Sequence, residues 1–121
     1  MSTRVLIVDD AAFMRQTIRM MLTGMGFDVV GEAADGVEAC RRFVELKPDV
    51  VTMDVVMPGI SGVEALQRIR EHDASAKVVM ITADDHRASI IEAFRLGAMD
   101  YIVKPFEKER VEEAMQRVVA V

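Results

Sequence analysis

Cysteine, tryptophan and long apolar runs are scarce or absent in this chain of 121 residues, and each scarcity argues against a class of protein. The single cysteine, Cys40, cannot form an internal disulfide and has no Cys-x-x-Cys partner, which favours a reducing compartment. No apolar run approaches the roughly 20 residues of a membrane span. The apolar stretch 5–8 is also too short for a signal peptide. We therefore expect a cytoplasmic protein with no membrane partner.

Basic clusters and aromatic side chains are too few to favour nucleic-acid binding. The formal net charge is -5 and no basic block stands out, whereas nucleic acids require a positive surface. With no tryptophan, one tyrosine and five phenylalanines, the chain lacks the composition of a base-stacking platform. The ten methionines fall mostly at helix-period and strand positions, which is typical of core filling. We expect no nucleic acid among the partners.

The length and the hydrophobic pattern predict one α/β domain over residues 1–121. Apolar runs alternate with segments of helical period, and the runs at 5–8, 50–53 and 78–81 lack polar alternation, as in strands buried on both faces. Five strands and five helices are predicted in strict alternation, with the strands at 4–9, 28–33, 49–54, 77–82 and 99–103. Such alternation is typical of a three-layer fold, a parallel sheet with helices on both faces.

Capping residues and apolar spacing predict how two of the helices begin and which faces they bury. Asp35 opens the second helix, and Asp84 or Asp85 can cap the fourth. The side chains expected to face inward from the second helix are Val37, Cys40, Phe43 and Val44. The apolar residues expected on the fourth helix are Ile90, Ile91 and Phe94.

Polar residues stand at the ends of four predicted strands. Asp9 and Asp10 follow the first strand and Asp54 closes the third. Thr82 ends the fourth strand, and Lys104 follows the fifth. Because the carboxyl ends of parallel strands meet at one edge of the sheet, where open α/β sheets bind ligands, we expect these residues to share a shallow pocket.

The tandem carboxylates of Asp9 and Asp10 indicate a cation site. One aspartate would suffice to cap the following helix. Adjacent carboxylates close to a third, Asp54, repel one another and raise one another's proton affinity unless a cation neutralises them. Ligands that are all oxygen suit a hard ion, and Mg²⁺ fits best because it takes one or two carboxylates and keeps water or phosphate as further ligands.

Asp54 is either a strand terminator or a carboxylate nucleophile that forms an aspartyl phosphate. A phosphoryl acceptor requires charge neutralisation around the transferring oxygens. Lys104 would supply a point charge for this purpose, and the hydroxyl of Thr82 would donate to a phosphoryl oxygen. The pattern is specific only because all these residues terminate strands.

The motifs that carry these residues resemble the receiver domain of two-component response regulators over essentially the whole chain. They are residues 5–10, 53–62, 81–83 and 102–106. The stretch 8–15 is similar to that of single-domain chemotaxis regulators of the CheY type. The resemblance implies a flavodoxin-like (βα)5 fold whose strands are ordered 2-1-3-4-5. It also implies a phosphoacceptor switch that assists its own phosphorylation and dephosphorylation, rather than an enzyme.

The resemblance implies a role for each pocket residue. A histidine kinase, of the chemotaxis type by this likeness, would phosphorylate Asp54. Mg²⁺ would be held by Asp10, Asp54 and the backbone carbonyl of Val56, with Asp9 helping through water. Thr82 and Lys104 would bind the phosphoryl group, and the bond between Lys104 and Pro105 would be cis.

By the same resemblance, Thr82 would move toward the phosphoryl group and Tyr101 would turn inward. The surface of the fourth helix, fifth strand and fifth helix would then change and bind an output protein, with the flagellar motor switch as the leading expectation. A phosphatase is a further implied partner. The alternatives within the family are a phosphorelay intermediate and the receiver of a longer DNA-binding response regulator.

Other proteins with such a sheet fit the residues less well. A phosphatase of the haloacid-dehalogenase kind needs a second aspartate two residues after the nucleophile, where this chain has Val56. A flavodoxin-like nucleotide binder needs a hydroxyl- or glycine-rich loop after the first strand, and Asp9 and Asp10 would repel a phosphate there. A corrin-binding module needs a histidine soon after an aspartate, and none follows Asp54.

Overall fold

A parallel sheet of five strands forms the centre of the computed structural model, which describes residues 2–121. The strands are β1 (Arg4–Val8), β2 (Asp28–Ala33), β3 (Val50–Met53), β4 (Lys77–Thr82) and β5 (Asp100–Val103). Their order across the sheet is β2-β1-β3-β4-β5 and every neighbouring pair is parallel. The predicted fold class and strand order are therefore confirmed.

Each strand is followed by a helix, and the five helices cover both faces of the sheet. They are α1 (Ala12–Gly24), α2 (Gly36–Leu46), α3 (Gly62–His72), α4 (Arg87–Arg95) and α5 (Lys108–Val119). One core contains Leu6 and Met53 from the sheet and is covered by α2, α3 and α4. The other contains Ile7 and Ile81 and is covered by α1 and α5. Across residues 2–121, no helix combines the length and the apolar character that a bilayer crossing requires.

The expected start of the fourth helix was wrong, although that of the second was right. The Asp35 side chain caps α2 by accepting a hydrogen bond of 2.8 Å from the backbone N–H of Glu38. Helix α4 begins only at Arg87, and its N-cap residue is His86, whose side chain makes no capping bond. The reason is a local turn: the Asp84 carboxylate accepts from the backbone N–H of His86 at 2.9 Å, which occupies that aspartate before the helix starts.

The inward face of α2 was partly mispredicted, and two of the apolar residues expected on α4 are exposed. Val37 and Val44 are exposed, because the inward face of α2 is formed by Gly36, Ala39 and Phe43. On α4, Ala93 is buried, whereas Ile91 and Phe94 are 56% and 46% exposed. Each exposed residue follows an inward-facing one, and successive helical residues point about 100° apart. On α2 the prediction was therefore right for Cys40 and Phe43 and wrong for Val37 and Val44.

Candidate functional site

The backbone places the predicted site residues at one edge of the sheet. The N–H of Asp54 donates to the carbonyl of Val8 at 3.0 Å, and the N–H of Lys104 donates to the carbonyl of Thr82 at 2.8 Å. These bonds continue the strand pairing one residue beyond β3 and β5. The side chains that follow neighbouring strands therefore emerge together, as the parallel sheet requires.

Asp9, Asp10, Asp54 and Lys104 lie in direct proximity, and we call them the acid pocket. Each aspartate offers a carboxylate oxygen within 4.8 Å of the other two. Asp9 and Asp54 are buried, and Asp10 is exposed to solvent. Lys104 Nζ lies 2.6 Å from Asp9 Oδ2 and 3.1 Å from Asp54 Oδ2. One ammonium thus bridges the two buried carboxylates.

The surroundings of Lys104 keep its side chain charged. Burial by itself would lower its pKa, because a low dielectric disfavours the ammonium. The hydrogen bond with Asp9 and the negative charge of Asp54 outweigh that effect, so the pKa of Lys104 is raised above its usual value.

The peptide bond between Lys104 and Pro105 is cis, as the resemblance implied.

The remaining oxygens of the buried carboxylates are oriented by backbone donors. Asp9 Oδ1 accepts from the N–H of Ala11 at 2.9 Å, and Asp54 Oδ1 accepts from the N–H of Val56 at 3.2 Å. Val56 therefore lies beside the pocket through its backbone, while its side chain is exposed. Carboxylate and carbonyl oxygens are the donors that Mg²⁺ prefers. The residues present fit such an ion.

Thr82 and Tyr101 are joined through the backbone of Asp84. The Thr82 hydroxyl is buried and accepts a hydrogen bond of 3.1 Å from the N–H of Asp84. The Tyr101 hydroxyl donates to the carbonyl of Asp84 at 2.6 Å, with the tyrosine side chain buried. Burial, followed by the charges of Asp84 and Asp54, raises the pKa of Tyr101 to about 12. Tyr101 therefore remains a hydrogen-bond donor at neutral pH and contacts the β4–α4 loop rather than the acid pocket.

Gly62 is a site residue that the sequence analysis included only as the last residue of the motif 53–62, with no role of its own. Its N–H donates to the carbonyl of Val55 at 2.8 Å. A Cβ atom at this position would lie 1.8 Å from the carbonyl oxygen of Asp54, so no side chain fits without a backbone shift. The signal in the sequence was a glycine eight positions after the candidate acceptor, which composition alone does not distinguish from a turn residue.

Arg15 is a second residue that the sequence reasoning missed, because it lies off the apolar stripe of α1. Its Nη1 atom donates to the backbone carbonyl of Asp9 at 2.6 Å. Its Nε atom donates to Glu32 on β2 at 2.9 Å. The available signal was its position in the second turn of the helix that follows Asp9 and Asp10, which directs a long side chain back toward the strand end.

Comparison with known proteins identifies the family. Residues 5–116 match the response regulator receiver domain. The chain belongs to this family. Receiver domains of this type act as signalling switches in two-component systems rather than as classical enzymes.

Individual relatives are similar to this receiver domain over almost its whole length. The chemotaxis protein CheY of Thermotoga maritima is 48% identical over 118 residues, which cover 98% of each chain. The chemotaxis protein CheY of Bacillus subtilis is 45% identical over 119 residues, covering 98% of this chain and 99% of the relative.

A solved structure supports the same family. A chain of the CheX–CheY–BeF3–Mg complex of Borrelia burgdorferi superposes with a TM-score of 0.94 at 34% identity. The match covers 97% of this chain and 89% of that chain.

Proposed function

We propose that this receiver domain, residues 1–121, is a switch that accepts a phosphoryl group on Asp54 from a histidine kinase. The observation that carries the proposal is the acid pocket itself, in which one ammonium contacts two buried carboxylates and a third carboxylate lies within 4.8 Å of both. A pocket so rich in carboxylates is costly unless its function requires it. A cation-dependent phosphoacceptor uses every one of these groups.

Mg²⁺ would be held by Asp10, Asp54 and the backbone carbonyl of Val56, with Asp9 assisting. When bound, the ion supplies positive charge that offsets the charge of the transferring phosphoryl oxygens. The likeness to a Borrelia burgdorferi complex that contains BeF3 and Mg²⁺ supports this assignment. So does the all-oxygen character of the donors around the pocket.

Asp54 would act as the nucleophile. A carboxylate oxygen forms a bond to phosphorus while the bond between phosphorus and the donor histidine nitrogen breaks, and the released imidazole retains the electron pair. Lys104, at 3.1 Å from Asp54 Oδ2, would neutralise a phosphoryl oxygen. The Thr82 hydroxyl accepts from Asp84, so its own proton is available for a second phosphoryl oxygen.

The contacts of Thr82 provide a route by which phosphorylation would change the surface. Movement of the Thr82 hydroxyl toward the phosphoryl group would lengthen its bond to the N–H of Asp84. The same Asp84 accepts from Tyr101 and, through its carboxylate, from Ser89 on α4. In this proposal Thr82 and Tyr101 are the switch residues, and the inward position of Tyr101 depends on the conformation of the β4–α4 loop.

Exposed apolar side chains on α4 and β5 would bind the output partner. Ile91, Phe94 and Val103 are exposed and lie on the elements whose conformation the Asp84 contacts control. The similarity to chemotaxis proteins CheY favours a chemotaxis kinase as donor and the flagellar motor switch protein as output partner. A phosphatase is a further proposed partner.

A pull-down with fluoroberyllate-loaded protein tests the output partner. It should recover the flagellar motor switch protein, whereas recovery of a phosphotransfer protein would indicate a phosphorelay.

Labelling by acetyl phosphate tests the acceptor directly. The wild type with Mg²⁺ should gain the mass of one phosphoryl group, and Asp54→Asn should gain none while its circular dichroism spectrum stays native. Asp85→Asn is the matched control, because Asp85 is an exposed acid outside the acid pocket and its variant should label like the wild type. Labelling of Asp54→Asn at the wild-type rate would place the acceptor elsewhere.

A further inference from the structure

We propose that Arg15 is a positioning residue that fixes the Asp9–Asp10 segment of the acid pocket for Mg²⁺ binding. The inference rests on the proposed function, because it assumes that the pocket binds the ion. Arg15 contacts no carboxylate of the pocket in this arrangement; it acts through the backbone of Asp9. Arg15 is therefore not a metal ligand in this proposal; it orients the residues that are.

The backbone of Asp9 is held at both ends. Its N–H donates to the carbonyl of Ala33 on β2 at 3.1 Å. Its carbonyl accepts from Arg15 Nη1 at 2.6 Å, and no other donor within residues 2–121 contacts that oxygen. Because this carbonyl belongs to the peptide group that joins Asp9 to Asp10, the arginine restrains the orientation of both residues.

Arg15 is in turn held by a shared carboxylate. Glu32 Oε1 accepts from Arg15 Nε at 2.9 Å, and Glu32 Oε2 accepts from Arg19 Nε at 2.7 Å. Burial alone would raise the pKa of Glu32, but the bonds and charges of Arg19 and Arg15 lower it, so the carboxylate stays ionised at neutral pH. The Arg15 side chain is only 19% exposed, so its guanidinium has little freedom to leave Asp9.

A guanidinium suits this position because its donors point in fixed directions from one plane. Nε and Nη1 reach two acceptors on different elements, Glu32 on β2 and Asp9 after β1. A lysine carries the same charge on a single flexible group and cannot reproduce that fork. Ligands oriented in advance lose less freedom when an ion binds, so disturbing them weakens the site.

The sign of the effect separates positioning from simple electrostatics. Removing a cation close to a carboxylate site should strengthen Mg²⁺ binding if charge alone mattered. Removing a group that orients metal ligands typically weakens metal binding by about 10- to 100-fold. We expect Arg15→Met to weaken binding by about tenfold, the lower end of that range, because the charge effect opposes the loss of orientation.

Arg19→Met is the matched control. Arg19 is also an α1 arginine paired with Glu32, yet it makes no contact with Asp9. Calorimetric titration with Mg²⁺ should show weakened binding by Arg15→Met and near wild-type binding by Arg19→Met. Arg15→Lys should recover only part of the affinity. In metal-free protein, amide hydrogen exchange at Ala11, whose N–H donates to Asp9 Oδ1, should accelerate in Arg15→Met and not in Arg19→Met.

Equal Mg²⁺ affinity in Arg15→Met and Arg19→Met, or tighter binding in Arg15→Met, would overturn the inference. If Arg15→Met does not fold, Glu32→Met tests the same support, since it retains Arg15 and removes the acceptor of its Nε atom; wild-type affinity there would also overturn the inference. A wild type that binds no Mg²⁺ would instead contradict the proposed function. Hydrogen exchange at Ala11 then still reports whether Arg15 orients the segment.

Discussion

Lys104 Nζ lies 2.6 Å from Oδ2 of Asp9, although 95 residues of chain separate the two. Asp9 follows β1 and Lys104 follows β5, and strands β3 and β4 lie between those two in the sheet. The contact therefore joins segments that follow non-adjacent strands. Lys104 Nζ also reaches Asp54 Oδ2 at 3.1 Å. Lys104 is therefore the charged group that pairs with the two buried aspartates of the acid pocket.

Replacement of this ammonium should abolish binding of a phosphoryl mimic. We expect Lys104→Ala to lose fluoroberyllate binding in the presence of Mg²⁺, because the mimic would then meet three carboxylates without their counter-charge. Fluorine NMR of the bound mimic is the measurement. Lys108→Ala on α5 is the control, since Lys108 is exposed and outside the acid pocket. Equal binding by Lys104→Ala would remove Lys104 from the phosphoryl site.

Neutralising Asp10 should raise the melting temperature in metal-free buffer. Asp10 lies within 4.8 Å of two other carboxylates and forms no ion pair within residues 2–121, so its charge contributes repulsion without compensation. Because Asp10 is exposed, we expect Asp10→Asn to gain less than about 1 kcal/mol of unfolding free energy. Differential scanning calorimetry with a chelator measures the shift.

Asp54→Asn provides the comparison for Asp10→Asn. It relieves the same repulsion but leaves Lys104 with one buried carboxylate instead of two. The increase in melting temperature should therefore be smaller for Asp54→Asn than for Asp10→Asn.

Added Mg²⁺ should raise the melting temperature of the wild type more than that of Asp10→Asn, because an ion that binds only the native state shifts unfolding by mass action. A lower melting temperature for metal-free Asp10→Asn would contradict the repulsion argument.

The acid pocket could be predicted from the sequence because its members share a local signal. Each stands at the carboxyl end of an apolar run, and parallel strands bring those ends to one edge. No knowledge of side-chain packing was needed to place Asp54 beside Asp9. The same rule places Thr82 and Lys104, whose backbones are paired in the structure.

Arg15 and Gly62 could not be found in this way, because they act on backbone atoms. The role of Gly62 depends on how closely α3 approaches the carbonyl of Asp54, which is set by tertiary packing. The role of Arg15 depends on a carbonyl that no residue type identifies. The exposure of Val37 and Val44 on α2 was missed for a related reason. Apolar residues spaced by three and four positions can be assigned to either of two neighbouring helix faces when each face carries such residues.

The close approach at Gly62 makes a sharp prediction about stability. A Cβ at Gly62 would lie 1.8 Å from the Asp54 carbonyl oxygen, so Gly62→Ala must displace backbone beside the acceptor. We expect a loss of about 3 kcal/mol or more of unfolding free energy, measured by urea titration. Gly24→Ala is the control, because nothing lies within 4 Å of a Cβ in that helical position. It should be neutral or stabilising by up to about 1 kcal/mol. Equal stability of the two variants would show that α3 can move away without cost.

Asp100 should make the stability of the protein depend on pH in acid. Its carboxylate accepts from Arg110 at 2.8 and 3.0 Å and from Arg117 at 2.8 Å, on the side of the sheet covered by α5. Burial would raise the pKa of Asp100, but the hydrogen bonds and charges of Arg110, with Arg117 adding to them, lower it below the ordinary value of 3.8.

A carboxyl group whose pKa is lowered by folding stabilises the native state above its unfolded pKa and loses that contribution as the pH falls through its folded pKa. We expect Asp100→Asn to reduce the unfolding free energy by about 2 kcal/mol near neutral pH, because the variant loses hydrogen bonds to charged partners. The difference between wild type and variant should stay constant above the ordinary pKa of 3.8 and shrink below it. Urea unfolding of both proteins across this pH range measures the difference in unfolding free energy. Subtracting one protein from the other cancels the contributions of the other carboxylates.

Glu113→Gln is the control. It breaks only an exposed pair with Arg117 and should cost at most about 1 kcal/mol of unfolding free energy. A wild-type advantage that persists undiminished in strong acid would mean that packing around Asp100, and not its charge, stabilises this end of β5.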